Sequence, residues 1–154
     1  MTDLDPALVD RLAALCLALP ETVQEQAWNG TRWRIRGRTF AHVLEILDGR
    51  PAAYAEASGL AGPAVVLTFR ITPAERDLFT ALGPPYWAVR WGRDVGGLVL
   101  GDATDWTEIA ELLTESYRLL APRKLSVRLD PGPISGPAGS LAECAAESRP
   151  FRTL

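Results

Sequence analysis

The apolar positions change period several times along the chain, and each change predicts an element. Leu8, Val9, Leu12, Leu15, Cys16 and Leu19 recur at helical spacing behind Asp5-Pro6. That reads as a helix with Asp5 as N-cap and Pro6 in its first position, stopped by Pro20. Residues 21–28 read as a short strand ending at Trp28, and Asn29-Gly30 is a hairpin turn signal. From Thr31 to Arg36 the pattern alternates, with Arg32, Arg34 and Arg36 on one face and Trp33 and Ile35 on the other. Gly37-Arg38 is expected to turn the chain into a returning strand, Thr39 to Leu47. That register sets Ile35 opposite Phe40 and Trp33 opposite His42, leaving the three arginines together on the outer face.

Residues 49–63, rich in Ala, Gly and Pro, predict a loop. Ala64 to Ile71 is a β run. Thr72-Pro73 opens a short helix that Gly83-Pro84-Pro85 ends. Tyr86 to Gly92 alternates again, and Arg93-Asp94 turns into a glycine-containing strand from Val95 to Leu100. Asp105 to Leu120 is the strongest helix, with Asp105 and Glu108 spaced as in a capping box. Trp106, Ile109, Leu112, Leu113, Ser116, Tyr117 and Leu120 define one of its faces. Periodicity is lost from Ser126, so residues 1–125 are expected to form one domain and 126–154 a Pro/Gly/Ala-rich tail. Hairpins dominate and no βαβ alternation occurs. The expected fold is α+β, an antiparallel β-sheet with helices packed on one face.

Composition removes several function classes. The 154 residues are 47% hydrophobic, enough for one core. No apolar run approaches the roughly 18 residues of a membrane helix. The acidic start is unlike a signal peptide, so a cytoplasmic protein is expected. Cys16 and Cys144 lie far apart and make neither a metal spacing nor a disulfide framework. His42 is the single histidine, which excludes a multi-histidine metal site. No nucleophile elbow, phosphate-binding loop or dinucleotide fingerprint occurs, so neither a catalytic set nor a cofactor is predicted.

Charge distribution says more than its sum. The net charge is −3, yet residues 28–50 carry +3 and the chain is rich in arginine, with Lys124 its one lysine. Arg32, Arg34 and Arg36 on one strand face, with Arg38 beside them, form a ladder whose repulsion becomes favourable against an anion. A solvated face or pairing with acids is the plainer reading. Taken as phosphate contacts, these four would be helped by Arg90, Arg93 and Lys124. A second candidate is a small-ligand pocket near His42, Ser116 and Tyr117, because Ser116 and Tyr117 are polar interruptions of an apolar helix face. Local hydrogen bonding would explain them equally. Most of the five tryptophans are expected in the core, and an outward one could stack on exposed bases.

One ordered set of residues resembles a known family. A first helix ending at Leu19-Pro20-Glu21 precedes Trp28-Asn29-Gly30, Trp33-Arg34-Ile35-Arg36-Gly37-Arg38-Thr39-Phe40-Ala41, and later Trp106, Glu115-Ser116-Tyr117-Arg118-Leu119 and Lys124. Over about residues 4–125 this resembles the MmcQ/YjbR-like family of small bacterial proteins. The resemblance implies a double-wing fold similar to the frataxin-like (CyaY-like) architecture, and a DNA-binding role without catalysis. It carries over to Gly37, Arg38, Phe40, Ser116, Tyr117 and Lys124, with Arg38 standing where the family often has lysine. The alternatives are a module that docks an acidic protein partner, and a binder or enzyme for a small anionic ligand.

Overall fold

The computed structural model describes residues 4–90 and 94–129. Residues up to Ala121 form one compact unit and a second begins at Pro122. The first unit runs α1 (Pro6–Leu17), β1 (Thr22–Gln26), β2 (Thr31–Ile35), β3 (Arg38–Ile46), α2 (Ala52–Ser58), β4 (Ala64–Arg70), α3 (Pro73–Leu82), β5 (Tyr86–Arg90), β6 (Asp94–Leu100) and α4 (Trp106–Leu120). The second unit contains a four-residue helix, α5 (Arg123–Ser126), and a 3-10 turn at Val127–Leu129. The expected tail starts inside this unit, and its residues 130–154 lie outside the described residues.

The helices form where the sequence supplies caps and stripes. Asp5 accepts the Ala7 N–H at the start of α1, which buries Leu12 and Cys16. Burial pushes the Cys16 thiol well above its ordinary pKa, so it stays protonated and acts as a small apolar residue. Thr72 and Glu75 close a full capping box on α3. On α4, Asp105 caps the Thr107 and Glu108 N–H groups. The Glu108 carboxylate is engaged elsewhere: it accepts the Tyr86 hydroxyl at 2.5 Å. Burial and this bond push the Tyr86 phenol up to about 12.

All six strands pair antiparallel, in the order β1-β2-β3-β4-β6-β5. Phe79 of α3 and Tyr117 of α4 mark one face, where they meet Phe69 and Phe40 edge-on at 5.9 and 5.7 Å. Trp33, Ile35, Ala41, Val43 and Leu67 are fully buried on that side. The α+β class with an antiparallel sheet is therefore observed. Gly96 and Gly97 show how tightly both sides of β6 are packed. A Cβ on Gly96 would meet the Phe79 ring at 2.8 Å, and one on Gly97 the Trp87 ring at 2.1 Å.

Trp87 therefore belongs to a second, smaller core on the other face. It joins Leu44, Ile46 and Val66, with Tyr54, Ala55 and Ala57 packed against them. Those last three lie on α2, which occupies the stretch expected to be loop. Its alanines pack closely where a 3.6-residue stripe of large residues is missing, so periodicity gave no signal.

The β2–β3 register also departs from expectation. The chain turns at Arg36-Gly37, both in the left-handed region at φ 51° and 77°, so Ile35 lies opposite Arg38. A bulge follows: Arg34 pairs with Thr39 but Trp33 with Ala41, and Phe40 is the extra residue. Phe40 and Ala41 are both fully buried as a result. His42 then falls opposite Arg32, on the face away from Trp33 and Ile35.

Candidate nucleic-acid interface

α2 covers the second face over β3, β4, β6 and β5 and leaves it bare over β1 and β2. Glu25, Arg32 and Arg34 share this uncovered area by register, and His42, opposite Arg32, lies at its border beside Tyr54 of α2. The hairpin therefore brings two rungs of the expected ladder together. Arg36 has left the strand for the turn, and Arg38 lies opposite Ile35 at the hairpin tip.

Acids on β1 and just before it occupy most of this charge. Glu25 Oε1 accepts from Arg32 Nη2 at 2.7 Å and Nε at 2.8 Å, and Glu25 Oε2 accepts from Arg34 Nη1 at 3.1 Å. Arg34 Nη2 also donates to the Gly37 carbonyl. Arg36 pairs with Glu21 through Nη2 at 2.8 Å and Nε at 3.0 Å. The hydrogen bonds from Arg32 and Arg34 hold the Glu25 carboxyl below its ordinary pKa. The Arg38 side chain is exposed and has no ion-pair or hydrogen-bond partner among the described residues. Four arginines against two acids leave the hairpin region at +2. The acids were legible in principle. The hairpin loop sets Gln26 opposite Thr31, which puts Glu25 opposite Arg32.

Among the other expected contacts, Arg90 does not join this cluster. Arg90 lies on β5, the opposite edge of the sheet. Arg93 lies outside the described residues, and Lys124 is on α5 of the second unit.

The expected His42, Ser116 and Tyr117 grouping does not form, because the sheet separates them. Ser116 and Tyr117 are fully buried on the helix-bearing face. Ser116 Oγ donates to the Phe40 carbonyl at 2.6 Å and accepts the Arg70 N–H at 2.8 Å. The Tyr117 hydroxyl donates to the Pro20 carbonyl at 2.7 Å. Both therefore perform structural duty. His42 faces the other side, with Tyr54 edge-on to its ring, and its Nε2–H donates to the Asn29 carbonyl at 2.7 Å. Burial lowers its pKa, the Arg32 charge acts the same way, and the bond to Asn29 opposes them.

Sequence reasoning placed most tryptophans in the core, and Trp28 departs from that. β1 ends at Gln26, and Trp28 stands 92% exposed in the β1–β2 loop. Trp33 and Trp87 are buried. Among the described residues no three His, Cys, Asp or Glu side chains cluster to hold a metal. No described helix is long and apolar enough to cross a membrane.

No protein of curated function matches this sequence. The sequence profile of the YjbR family matches residues 17–119, from the last turn of α1 to the end of α4. That span holds the whole sheet and the arginine hairpin and makes up two thirds of the chain, so the protein belongs to the YjbR family.

Proposed function

We propose that this chain is a nucleic-acid-binding module without catalysis, which holds a phosphate backbone at the β2–β3 hairpin through Arg32, Arg34, Arg36 and Arg38. The observation that supports the reading is the concentration of these arginines on one hairpin, Arg32 and Arg34 where α2 leaves the sheet uncovered and Arg36 and Arg38 at the tip. They stand at +2 in a chain of net charge −3. Arginine suits the task because its planar fork binds phosphate oxygens in pairs. Exposed ion pairs are worth little, on the order of 0–1 kcal/mol, so a phosphate can take over the guanidinium bonds of Glu25 and Glu21 at small cost. Arg38 needs no exchange and makes the first contact. The contacts are to the backbone, so they give affinity and orientation and read no sequence.

Fluorescence anisotropy of labelled DNA across a salt series tests this. Three or four neutralised phosphates on a duplex give a slope of log K against log salt of roughly −3 to −4. Arg34→Glu with Arg36→Glu is expected to abolish binding while the circular dichroism spectrum stays unchanged. Absence of binding by the wild-type protein at low salt overturns the reading.

A further inference from the structure

The loop between β1 and β2 carries a feature that phosphate binding does not use. Trp28 is the most exposed large apolar side chain among the described residues, at 92%. Such an indole in water forgoes on the order of 1.5–3 kcal/mol of burial. Its loop is nevertheless held firmly. The Ala27 N–H donates to the Gly30 carbonyl at 2.9 Å, and Asn29 Nδ2 donates to the Glu45 carbonyl at 3.2 Å. His42 Nε2 donates to the Asn29 carbonyl at 2.7 Å. Gly30 lies so close to β3 that a Cβ there would meet the Val43 carbonyl oxygen at 1.9 Å. The ring is therefore presented from a pinned backbone, which lowers the ordering cost of a partner that lies on it.

Beside the ring is an open pocket of about 370 Å³. Leu4 and Val9 supply apolar wall, and Asp10, Gln26 and Thr31 supply polar groups. No hydrogen bond or ion pair among the described residues occupies the Asp10 carboxylate or the Gln26 carboxamide. A flat apolar surface next to free hydrogen-bonding groups suits a flat aromatic ligand with donors and acceptors on its edge. A nucleobase has that form. Trp28 precedes Arg32 by four residues, at most about 13 Å of extended chain. The ring and the first arginine therefore lie within reach of a short stretch of one strand.

We infer that Trp28 is a stacking platform for an unpaired base, and that the nucleic acid taken by the arginine hairpin is single-stranded. A base inside a duplex has both faces covered by its neighbours, so only an unstacked one can lie on the indole. Asp10 and Gln26 address the exposed base edge on the helix-bearing side, and the strand passes around the β1–β2 turn to Arg32 and Arg34 on the other face. The inference rests on phosphate binding by the hairpin and specifies the form of its ligand.

The test compares anisotropy of a labelled mixed-sequence single strand and a labelled duplex with wild-type protein, Trp28→Ala, Trp28→Phe and the Arg34→Glu, Arg36→Glu variant. Trp28→Ala is expected to weaken single-strand binding between about 5-fold and about 150-fold, leaving duplex binding and thermal stability unchanged. Trp28→Phe is expected to retain most of the affinity. Unchanged single-strand binding by Trp28→Ala overturns the inference, as does an equal loss on the duplex. If the arginine variant alone loses binding, the hairpin reading survives without stacking. If wild-type protein binds neither probe, both readings fall.

Discussion

The Ser116 hydroxyl donates to the Phe40 carbonyl at 2.6 Å, joining residues 76 positions apart in the chain. Phe40 is the bulged residue of β3, and the β3–β4 ladder begins only at Ala41. The same hydroxyl accepts the Arg70 N–H at 2.8 Å. One buried oxygen therefore serves two backbone groups at the place where strand pairing stops. The bulge and α4 are fastened by the same atom.

Replacing Ser116 with Ala removes that oxygen and leaves a carbonyl and an N–H buried without partners. An unsatisfied buried group costs roughly 1–3 kcal/mol, so urea denaturation is expected to show a loss of at least about 1–3 kcal/mol. A change below about 0.5 kcal/mol means the two groups find other partners and removes the hydroxyl from the account of the bulge.

Trp33 and Trp28 make a paired prediction about burial. Trp33 is fully buried and its Nε1 donates to Gln24 Oε1 at 2.9 Å. Trp33→Ala is expected to cost about 3–5 kcal/mol, through the cavity it leaves. Trp28→Ala removes an exposed ring and is expected to change stability by no more than about 0.5 kcal/mol. Equal losses for the two variants contradict the placement of the loop.

His42 is the single histidine, so its ring signals in a proton NMR titration need no assignment. Desolvation puts its folded midpoint below the ordinary 6.5. The unfolded chain then binds the proton more readily than the folded one. Stability is full above about 6.5 and declines as the pH falls toward the folded midpoint. A midpoint at or above 6.5 contradicts the buried, neutral ring that donates to Asn29.

Glu25 competes with phosphate for Arg32 and Arg34. Glu25→Gln removes the charge while keeping the shape, and it is expected to tighten nucleic-acid binding and steepen the salt dependence. Weaker binding by this variant means that the carboxylate orients the two guanidinium groups for the ligand rather than occupying them. The ion pairs lie at the surface and are partly exposed, so the fold is expected to tolerate the change.

Local pattern went a long way here. Asp5-Pro6, Thr72-Pro73 and Asp105 marked three helix starts, because caps are made by residues next to the helix they begin. Alternation at Thr31–Ile35 separated buried Trp33 from outward Arg32 and Arg34, since side chains in a strand alternate whatever they pack against. α2 was hidden, because a short helix of alanines has no periodic stripe and gains its stability from Trp87 and Leu44 beneath it.

What the sequence determined by itself was every strand and the three longer helices, the antiparallel sheet and the concentration of arginine on one hairpin. The tertiary structure decided the rest. The bulge at Phe40 carried His42 to the face opposite Ser116 and Tyr117, so the three could not form one pocket. The β1–β2 pairing placed Glu25 across from Arg32, and the loop left Trp28 in solvent. Each of these depends on register. One residue of slip moves every later side chain of a strand to the other face, and the slip is set by packing with distant elements such as Ser116 on α4.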